Sequence, residues 1–206
     1  GVLMRLTAAG VLPPMLSGVL VTHLHSDHIT DLNDVITTHW VMAPEGTPLR
    51  VWGPPRIREV VDGILASLAP DIQYRLDHHD DLTWRPNVVV TEVAPGDEFA
   101  CGSASVQVGV TDHRPVEPTV SFRVNDDGRS VVLGGDGVPC AGLDQLCLGA
   151  DAYVYGHVDT ADGGSKDVIV RTDGRTPPLR GDVVHVAVTP DHQHVFHAVT
   201  GERIDA

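Results

Sequence analysis

The sequence predicts an α/β fold in which helices cover a sheet, and three observations support this prediction. Short β-branched strands and amphipathic helices alternate over roughly the first 70 residues, as they do where helices pack on a sheet. After about residue 85, short strands separated by turns replace the helices. The chain has 206 residues, 42% of them hydrophobic, which is enough to bury one sizeable core or two small ones.

Apolar periodicity and turn residues predict the elements in chain order. Strands are predicted at 18–22, 49–52, 88–90, 105–110, 119–124, 130–133, 152–155, 168–170, 183–188 and 195–199. Helices are predicted at about 29–42, 55–68 and 143–148. Asn125-Asp126-Asp127-Gly128 is typical of a hairpin turn between two of the strands. His39, next to the apolar Trp40, is expected on the surface of its helix.

Composition and charge exclude several classes of protein. No apolar run approaches the ~18 residues of a membrane-spanning helix, so a membrane protein is not expected. Fourteen basic against 28 acidic residues give a net charge of −14, which disfavours non-specific binding to nucleic acid or anionic membranes. The first residues do not resemble a signal peptide, and the three cysteines form no C-x-x-C pair. A reducing, cytoplasmic location is therefore expected.

The strongest motif is His23-x-His25-x-Asp27-His28, directly after the first predicted strand. Residues i and i+2 of an extended chain point the same way, so His23 and His25 can bind one ion. Where the chain then turns into a helix, Asp27 and His28 can point towards a second ion. Imidazole with carboxylate suits zinc, and also manganese or iron. Four candidate ligands in six residues predict a metal centre, in which two ions about 3.5–4 Å apart would share a water molecule.

Two later residues fit the same centre. His113 follows the strand predicted at 105–110, and Asp136 lies in the glycine-rich turn Gly134–Gly137 after the strand predicted at 130–133. A carboxylate has two oxygens and can bridge two ions, and glycine lets the backbone approach them. Either residue alone is a weak signal, but in this order after the first motif both are predicted to be ligands. The polar segment His78–Asp81 is interpreted instead as a loop.

The order of these motifs resembles that of the metallo-β-lactamase superfamily. Within it, segments 19–28 and 113–123, with Gly149-Ala150-Asp151-Ala152, are similar to the ribonuclease Z and arylsulfatase-like branch. The resemblance implies an αββα sandwich with a dinuclear zinc site at its edge. It covers about residues 1–155, which are expected to form a metallo-β-lactamase-like domain. Residues 156–206 are expected to be a poorly matching C-terminal remainder of the same domain.

The resemblance also implies roles for the motif residues. One zinc would be held by His23, His25 and His113. The second would be held by Asp27, His28 and Asp136, with Asp136 as the bridge. Asp27 would in addition orient the attacking hydroxide as the general base.

Two further roles are assigned to the C-terminal part of the chain. The family has a last metal-binding histidine after a late strand, for which His192 is the candidate and His185, His194 and His197 are competitors. His157 is the candidate proton donor to the leaving group. At the other end, only 22 residues precede His23, so the N-terminal strands of the first sheet are expected to be lacking. An unpaired edge strand can pair with a second copy of the chain, so a homodimer is possible.

The expected activity is hydrolysis of a phosphodiester, as in ribonuclease Z, or of a sulfate ester, by a zinc-bound hydroxide. An RNA substrate is left open but disfavoured by the negative charge. It is also disfavoured because only 23 positions separate His113 from Asp136, too few for the long basic arm of tRNA-processing members. A small ester or phosphodiester is expected instead. The alternatives are a lactone or thiolester hydrolase of the same fold, and a truncated, catalytically weak metal-binding domain.

Overall fold

The computed structural model describes residues 1–148, 150–159, 164–173 and 183, and side chains at 1–148, 150, 164 and 183. The chain forms two compact units, Gly1–Ala152 with Asp173–Arg175, and Tyr153–Thr172 with Thr176–Ala206. The first unit contains the HxHxDH motif, His113 and Asp136. The domain boundary expected between residues 155 and 156 stays a prediction.

Helices and short strands alternate at the start of the chain, and strands dominate after about residue 88. The helices are α1 (Val2–Ala8), α2 (Ser26–Ile29), α3 (Leu32–Met42), α4 (Ile57–Ser67), α5 (Ala69–His78) and α6 (Ala141–Cys147). The strands are β1 (Val19–Leu20), β2 (Leu49–Gly53), β3 (Val88–Glu92), β4 (Glu98–Cys101), β5 (Ala104–Val110), β6 (Val120–Asp126), β7 (Arg129–Leu133), β8 (Asp151–Asp159) and β9 (Ser165–Asp173). Among the described residues, no helix is both long and apolar enough to cross a bilayer.

The first sheet is parallel, in the order β1-β2-β3. Helices α3 and α4 cover one of its faces, where Ile36, Val61 and Val51 are among the buried members of an apolar cluster. Because the strands are parallel, their carboxyl ends meet at one edge of the sheet. The HxHxDH motif leaves the sheet at this edge, directly after β1.

In the first unit, the second sheet is antiparallel from β4 to β7, in the order β4-β5-β6-β7. The turn between β6 and β7 is the predicted hairpin, with positive φ angles at Asp127 and Gly128. Strand β8 then pairs parallel to β7 through Asp151 and Val131. The turn that carries Asp136 follows β7.

Apolar side chains fill the space between the two sheets. Trp52, on the opposite face of β2 from Val51, packs with Phe122 and Val106 of the second sheet and stacks on Phe99 with ring centroids 4.7 Å apart. Helix α6 covers the outer face of the second sheet, where Leu146 packs over Gly109. The layers are therefore helix, sheet, sheet and helix, which confirms the predicted αββα sandwich.

Strand β1 lies at an edge of the first sheet. In the described part of the chain, no strand pairs with its outer side. The homodimer that such an edge could support stays a prediction.

The structure adds elements that periodicity does not predict. Helix α5 follows α4 almost without a break, because Pro70 occupies the first turn of α5, where a missing N–H costs little. Strand β4, which is only four residues long, was not predicted. Helix α1, which has no buried residue, was not predicted either. The strand predicted at 195–199, and all but residue 183 of that predicted at 183–188, lie outside the described residues.

The expectation that His39 lies on the helix surface is wrong. Its exposure is only 3%, and burial lowers the pKa of its imidazole. The physical reason is that α3 is covered on two sides: Ile36 faces the first sheet, while Trp40 packs in a second cluster with Ile72 and Leu82. Helical periodicity assumes that only one face of a helix is covered. A helix that packs against two apolar clusters also buries residues outside that face.

Arg56 leads to a prediction about backbone strain. It precedes α4 in the left-handed conformation (φ 79°, ψ 0°), which costs an L-residue about 1 kcal/mol and glycine almost nothing. We expect Arg56→Gly to be about 1 kcal/mol more stable to unfolding than Arg56→Ala. Both variants remove the exposed ion pair with Glu59, so urea titrations of the two isolate the backbone effect. Equal stabilities would contradict the assignment of strain.

Candidate metal centre

The HxHxDH motif is extended over its first half and helical over its second. Val21 donates its N–H to the carbonyl of Trp52, so the pairing of β1 with β2 continues one residue beyond the strand. The chain stays extended to His25 (φ −66°, ψ 149°), after which α2 begins at Ser26. The side chains of His23 and His25 consequently point the same way, and His23 Nε2 lies 3.1 Å from His25 Nδ1.

His113 approaches the same point from the second sheet. It lies three residues after the end of β5, and its Nε2 is 3.4 Å from His25 Nδ1. The centroid of its ring is 4.9 Å from that of His23, with the two rings nearly perpendicular. Three imidazole nitrogens from two parts of the chain therefore face one another.

His28, Asp27 and Asp136 form the second half of the cluster. His28 Nε2 lies 3.3 Å from Asp136 Oδ2 and 3.6 Å from Asp27 Oδ2. The turn bearing Asp136 is tied to the end of β5, because Thr111 donates its hydroxyl to the carbonyl of Gly134. The Val138 N–H also donates to the carbonyl of Asp112.

The electrostatics of the cluster favour neutral imidazole at its most buried member. His23 is 1% exposed, and burial is the largest cause that lowers its pKa below the ordinary value. Like-charge interactions with His28, His113 and His25 lower the pKa further, while Asp136 acts in the opposite direction. A neutral imidazole keeps a lone pair that can bind a metal ion.

The donor atoms fit a divalent metal ion. One group comprises His23, His25, His113 and Asp136, and a second comprises Asp27, His28 and Asp136. Within each group the candidate ligand atoms all lie within 4.8 Å of one another. Asp136 belongs to both groups. Imidazole and carboxylate are the ligands of zinc, manganese and iron sites, so the chemistry of the set agrees with its geometry.

The structure brings together six of the eight candidate site residues. His157 lies in β8 (Asp151–Asp159), where side chains are not described, and His192 lies outside the described residues. Within the described residues, the segment His78–Asp81 belongs to neither group of candidate ligands.

Two neighbours of the cluster are not among the residues predicted from the sequence. The Thr22 hydroxyl lies 3.2 Å from His23 Nδ1, and Arg114 lines an open pocket of about 490 Å³ together with His113 and Asp136. Thr22 carries a weak signal, because it is the polar residue that directly precedes His23 after an apolar strand. Arg114 carries none beyond its place next to a candidate ligand.

Comparison with known proteins assigns the family. The model of the β-lactamase superfamily domain matches residues 5–159. The proteins named ribonuclease Z from Mycolicibacterium gilvum and Mycobacterium bovis (strain BCG / Pasteur 1173P2) are 52% and 50% identical over 157 residues, 75% of this chain. The chain spans about half the length of these relatives, 55% and 56%.

Two solved structures share the fold. Human tRNase Z, short form, superposes with a TM-score of 0.52 at 21% identity, over 73% of this chain and 61% of that one. The metallo-β-lactamase fold protein YhfI from Bacillus subtilis superposes with a TM-score of 0.51 at 17% identity, over 71% and 52%. The match to the family model over residues 5–159 shows that the chain belongs to the metallo-β-lactamase superfamily, and its similarity to proteins named ribonuclease Z at about 50% identity points to that branch.

Proposed function

We propose that the protein is a metal-dependent hydrolase that cleaves a phosphodiester of RNA. The observation that carries the proposal is the position of Asp136 in two overlapping groups of ligand atoms, as a carboxylate bridging two ions requires. His23, His25 and His113 would hold one ion, and Asp27 and His28 the other, with Asp136 shared. Zinc is the ion we propose, since four of the six ligands are imidazoles.

The side chains around the cluster suit ester hydrolysis. Bound divalent ions supply an acidified water and stabilise the charge that develops on the ester. Asp27, exposed beside His28, is the proposed general base and would accept the proton of the attacking water. His157 stays the proposed proton donor to the leaving group, and His192 the proposed last ligand. The cytoplasmic location likewise stays a prediction.

The choice of RNA rests on the relatives that are about 50% identical and named ribonuclease Z. The net charge of −14 opposes non-specific attraction of RNA. The segment between His113 and Asp136 contains the β6–β7 hairpin, which leaves no room for a long basic arm. The proposed RNA binding therefore rests on contacts near the cluster.

Arg114 is a candidate for such a contact. Its guanidinium is 74% exposed and donates to both oxygens of Asp112, from Nε at 2.9 Å and from Nη2 at 2.6 Å. Among the described residues, none accepts a hydrogen bond from Nη1. The ion pair thus holds the guanidinium in place and leaves donors free at the rim of the pocket, where a substrate phosphate could accept them.

We expect Arg114→Gln to raise KM for a phosphodiester about tenfold with a smaller change in kcat, since it removes one charged contact. The rate on a neutral aryl acetate should not change. Arg129→Gln is the matched control, because this exposed arginine begins β7, roughly 15 Å along the strand from the turn that carries Asp136. Equal effects of the two variants would contradict the contact.

Metal content and substrate preference test the proposed function together. The full chain is purified without a His tag or added metal, its metal content is measured by elemental analysis, and it is assayed on four substrates. These are a short RNA, bis(p-nitrophenyl) phosphate, an aryl sulfate and a lactone or thiolester. Two ions per chain with RNA or phosphodiester turnover support the proposal. Turnover restricted to the aryl sulfate, lactone or thiolester favours those alternatives, and one ion or fewer without turnover favours the weak metal-binding domain.

A further inference from the structure

We infer that Thr22 is a positioning residue of the metal centre, which orients His23 through its hydroxyl and sets the approach of the Asp136 turn through its packing. The inference rests on the proposed metal centre but not on the reaction or the substrate. Its basis is that one half-buried side chain contacts two of the segments that supply ligands.

The first contact concerns the two nitrogens of His23. Nδ1 lies 3.2 Å from the Thr22 hydroxyl, while Nε2 faces His25 Nδ1 at 3.1 Å. A neutral imidazole carries one N–H and one lone pair. If Nδ1 donates its proton to Thr22 Oγ1, the lone pair of Nε2 faces the other ligands. In the opposite tautomer, Nε2 carries the proton and cannot bind a metal ion.

The burial of His23 makes this partner costly to replace. Since the side chain is almost fully buried, water has little access to Nδ1. Among the described residues, the Thr22 hydroxyl is the group that contacts Nδ1. A hydrogen-bond acceptor on the far nitrogen of a ligating histidine fixes its tautomer and makes it a better ligand.

The second contact concerns Gly135, next to Asp136. Gly135 has a φ of +66°, and a Cβ built on it would lie 2.7 Å from Thr22 Oγ1 and 2.8 Å from Thr22 Cβ. The glycine turn therefore packs directly on Thr22. This packing places Asp136 so that its Oδ2 is 3.3 Å from His28 Nε2.

The backbone of Thr22 supplies a third connection. Its carbonyl accepts the N–H of Val120, the first residue of β6, at 2.9 Å. The ligands come from positions 23–28, 113 and 136, which are far apart in sequence. Thr22 thus joins the HxHxDH motif to the second sheet and to the turn that carries the shared carboxylate.

The test compares Thr22→Val, which removes the hydroxyl and keeps the shape, with Thr22→Ser, which keeps the hydroxyl and removes a methyl group. Affinity for Zn²⁺ is measured on the full chain by competition with a chelating dye, and circular dichroism of each metal-free variant checks its fold. We expect Thr22→Val to bind Zn²⁺ about 10–100-fold more weakly and Thr22→Ser to bind close to wild type. A ¹⁵N NMR spectrum of the Zn²⁺-loaded wild type should show His23 protonated at Nδ1.

Three results would overturn the role of Thr22 alone. They are an unchanged affinity in Thr22→Val, an equal loss in Thr22→Ser, and protonation of His23 at Nε2 in the wild type. The NMR result needs no variant, so protonation at Nε2 would overturn the role of Thr22 even if Thr22→Val does not fold. A wild-type chain that binds no divalent ion would overturn the metal centre, and this inference with it.

Discussion

An Asp136→Ala chain is expected to lose one of two bound metal ions and to hydrolyse a phosphodiester about 10²–10³-fold more slowly. Asp136 is the residue that the two groups of candidate ligands share. Without its carboxylate the second group keeps only Asp27 and His28, whereas the first keeps three histidines. Elemental analysis of protein purified without added metal gives the first readout, and initial rates on bis(p-nitrophenyl) phosphate give the second.

The exposed carboxylate of Asp126, at the end of β6 on the hairpin, provides the matched control. Asp126→Ala changes the net charge by the same amount and should leave metal content and rate as in the wild type. An Asp136→Ala chain that keeps two ions and the wild-type rate would rule out Asp136 as the bridge. Loss of both ions would mean that the groups bind metal only together.

The largest effect on stability is expected from Phe122→Ala, about 3–5 kcal/mol of unfolding free energy. Phe122 is 0% exposed and lies on β6 between the two sheets, packed in the cluster that contains Trp52, Val106 and Val120. Truncation removes a large apolar side chain and leaves a cavity that the flanking strands cannot close. Urea unfolding followed by tryptophan fluorescence measures the loss, since Trp52 belongs to this cluster.

Two further variants separate the cavity from the loss of an aromatic ring. Phe122→Leu keeps most of the volume and should cost less than about 1.5 kcal/mol. Tyr74→Ala removes a ring that is 64% exposed on α5 and should change stability by no more than about 0.5 kcal/mol. If Phe122→Ala cost no more than Tyr74→Ala, Phe122 would not be part of a packed core.

The two overlapping groups of candidate ligands lie in a chain that is acidic overall. The carboxylates of Asp27 and Asp136 lie against imidazoles rather than against basic side chains. When the histidines are neutral and no divalent ion is bound, little positive charge lies against these two carboxylates to offset their negative charge. We therefore expect bound metal to stabilise the folded chain, as for any ligand that binds only the folded state.

Local sequence was sufficient to predict the elements with strong periodicity. The strand at 49–52, the helix at 55–68 and the turn at 125–128 are all present, because alternation, helical spacing and turn residues act over a few neighbours. Helix α5 was not predicted because its sequence is polar and has a proline, Pro70, in the first turn. His39 was misplaced because a second apolar cluster, distant in sequence, covers the other side of α3.

By itself, the sequence determined the chemistry of the centre. A stretch of six residues contains the four candidate ligands, His23, His25, Asp27 and His28. Because an extended segment is followed by a helix, their side chains lie close together. Their order with His113 and the Gly-Asp turn also identified the superfamily, which the comparisons confirmed.

Only the tertiary structure decided which nitrogens and oxygens face one another. The approach of His113 and Asp136 depends on where β5 and β7 end relative to β1, and on the tie between the turn and Thr111. The packing of Thr22 on Gly135 and the position of Arg114 have the same origin. Contacts between residues about 20 to 115 positions apart are set by the packing of two sheets, and no local pattern in a single sequence encodes them.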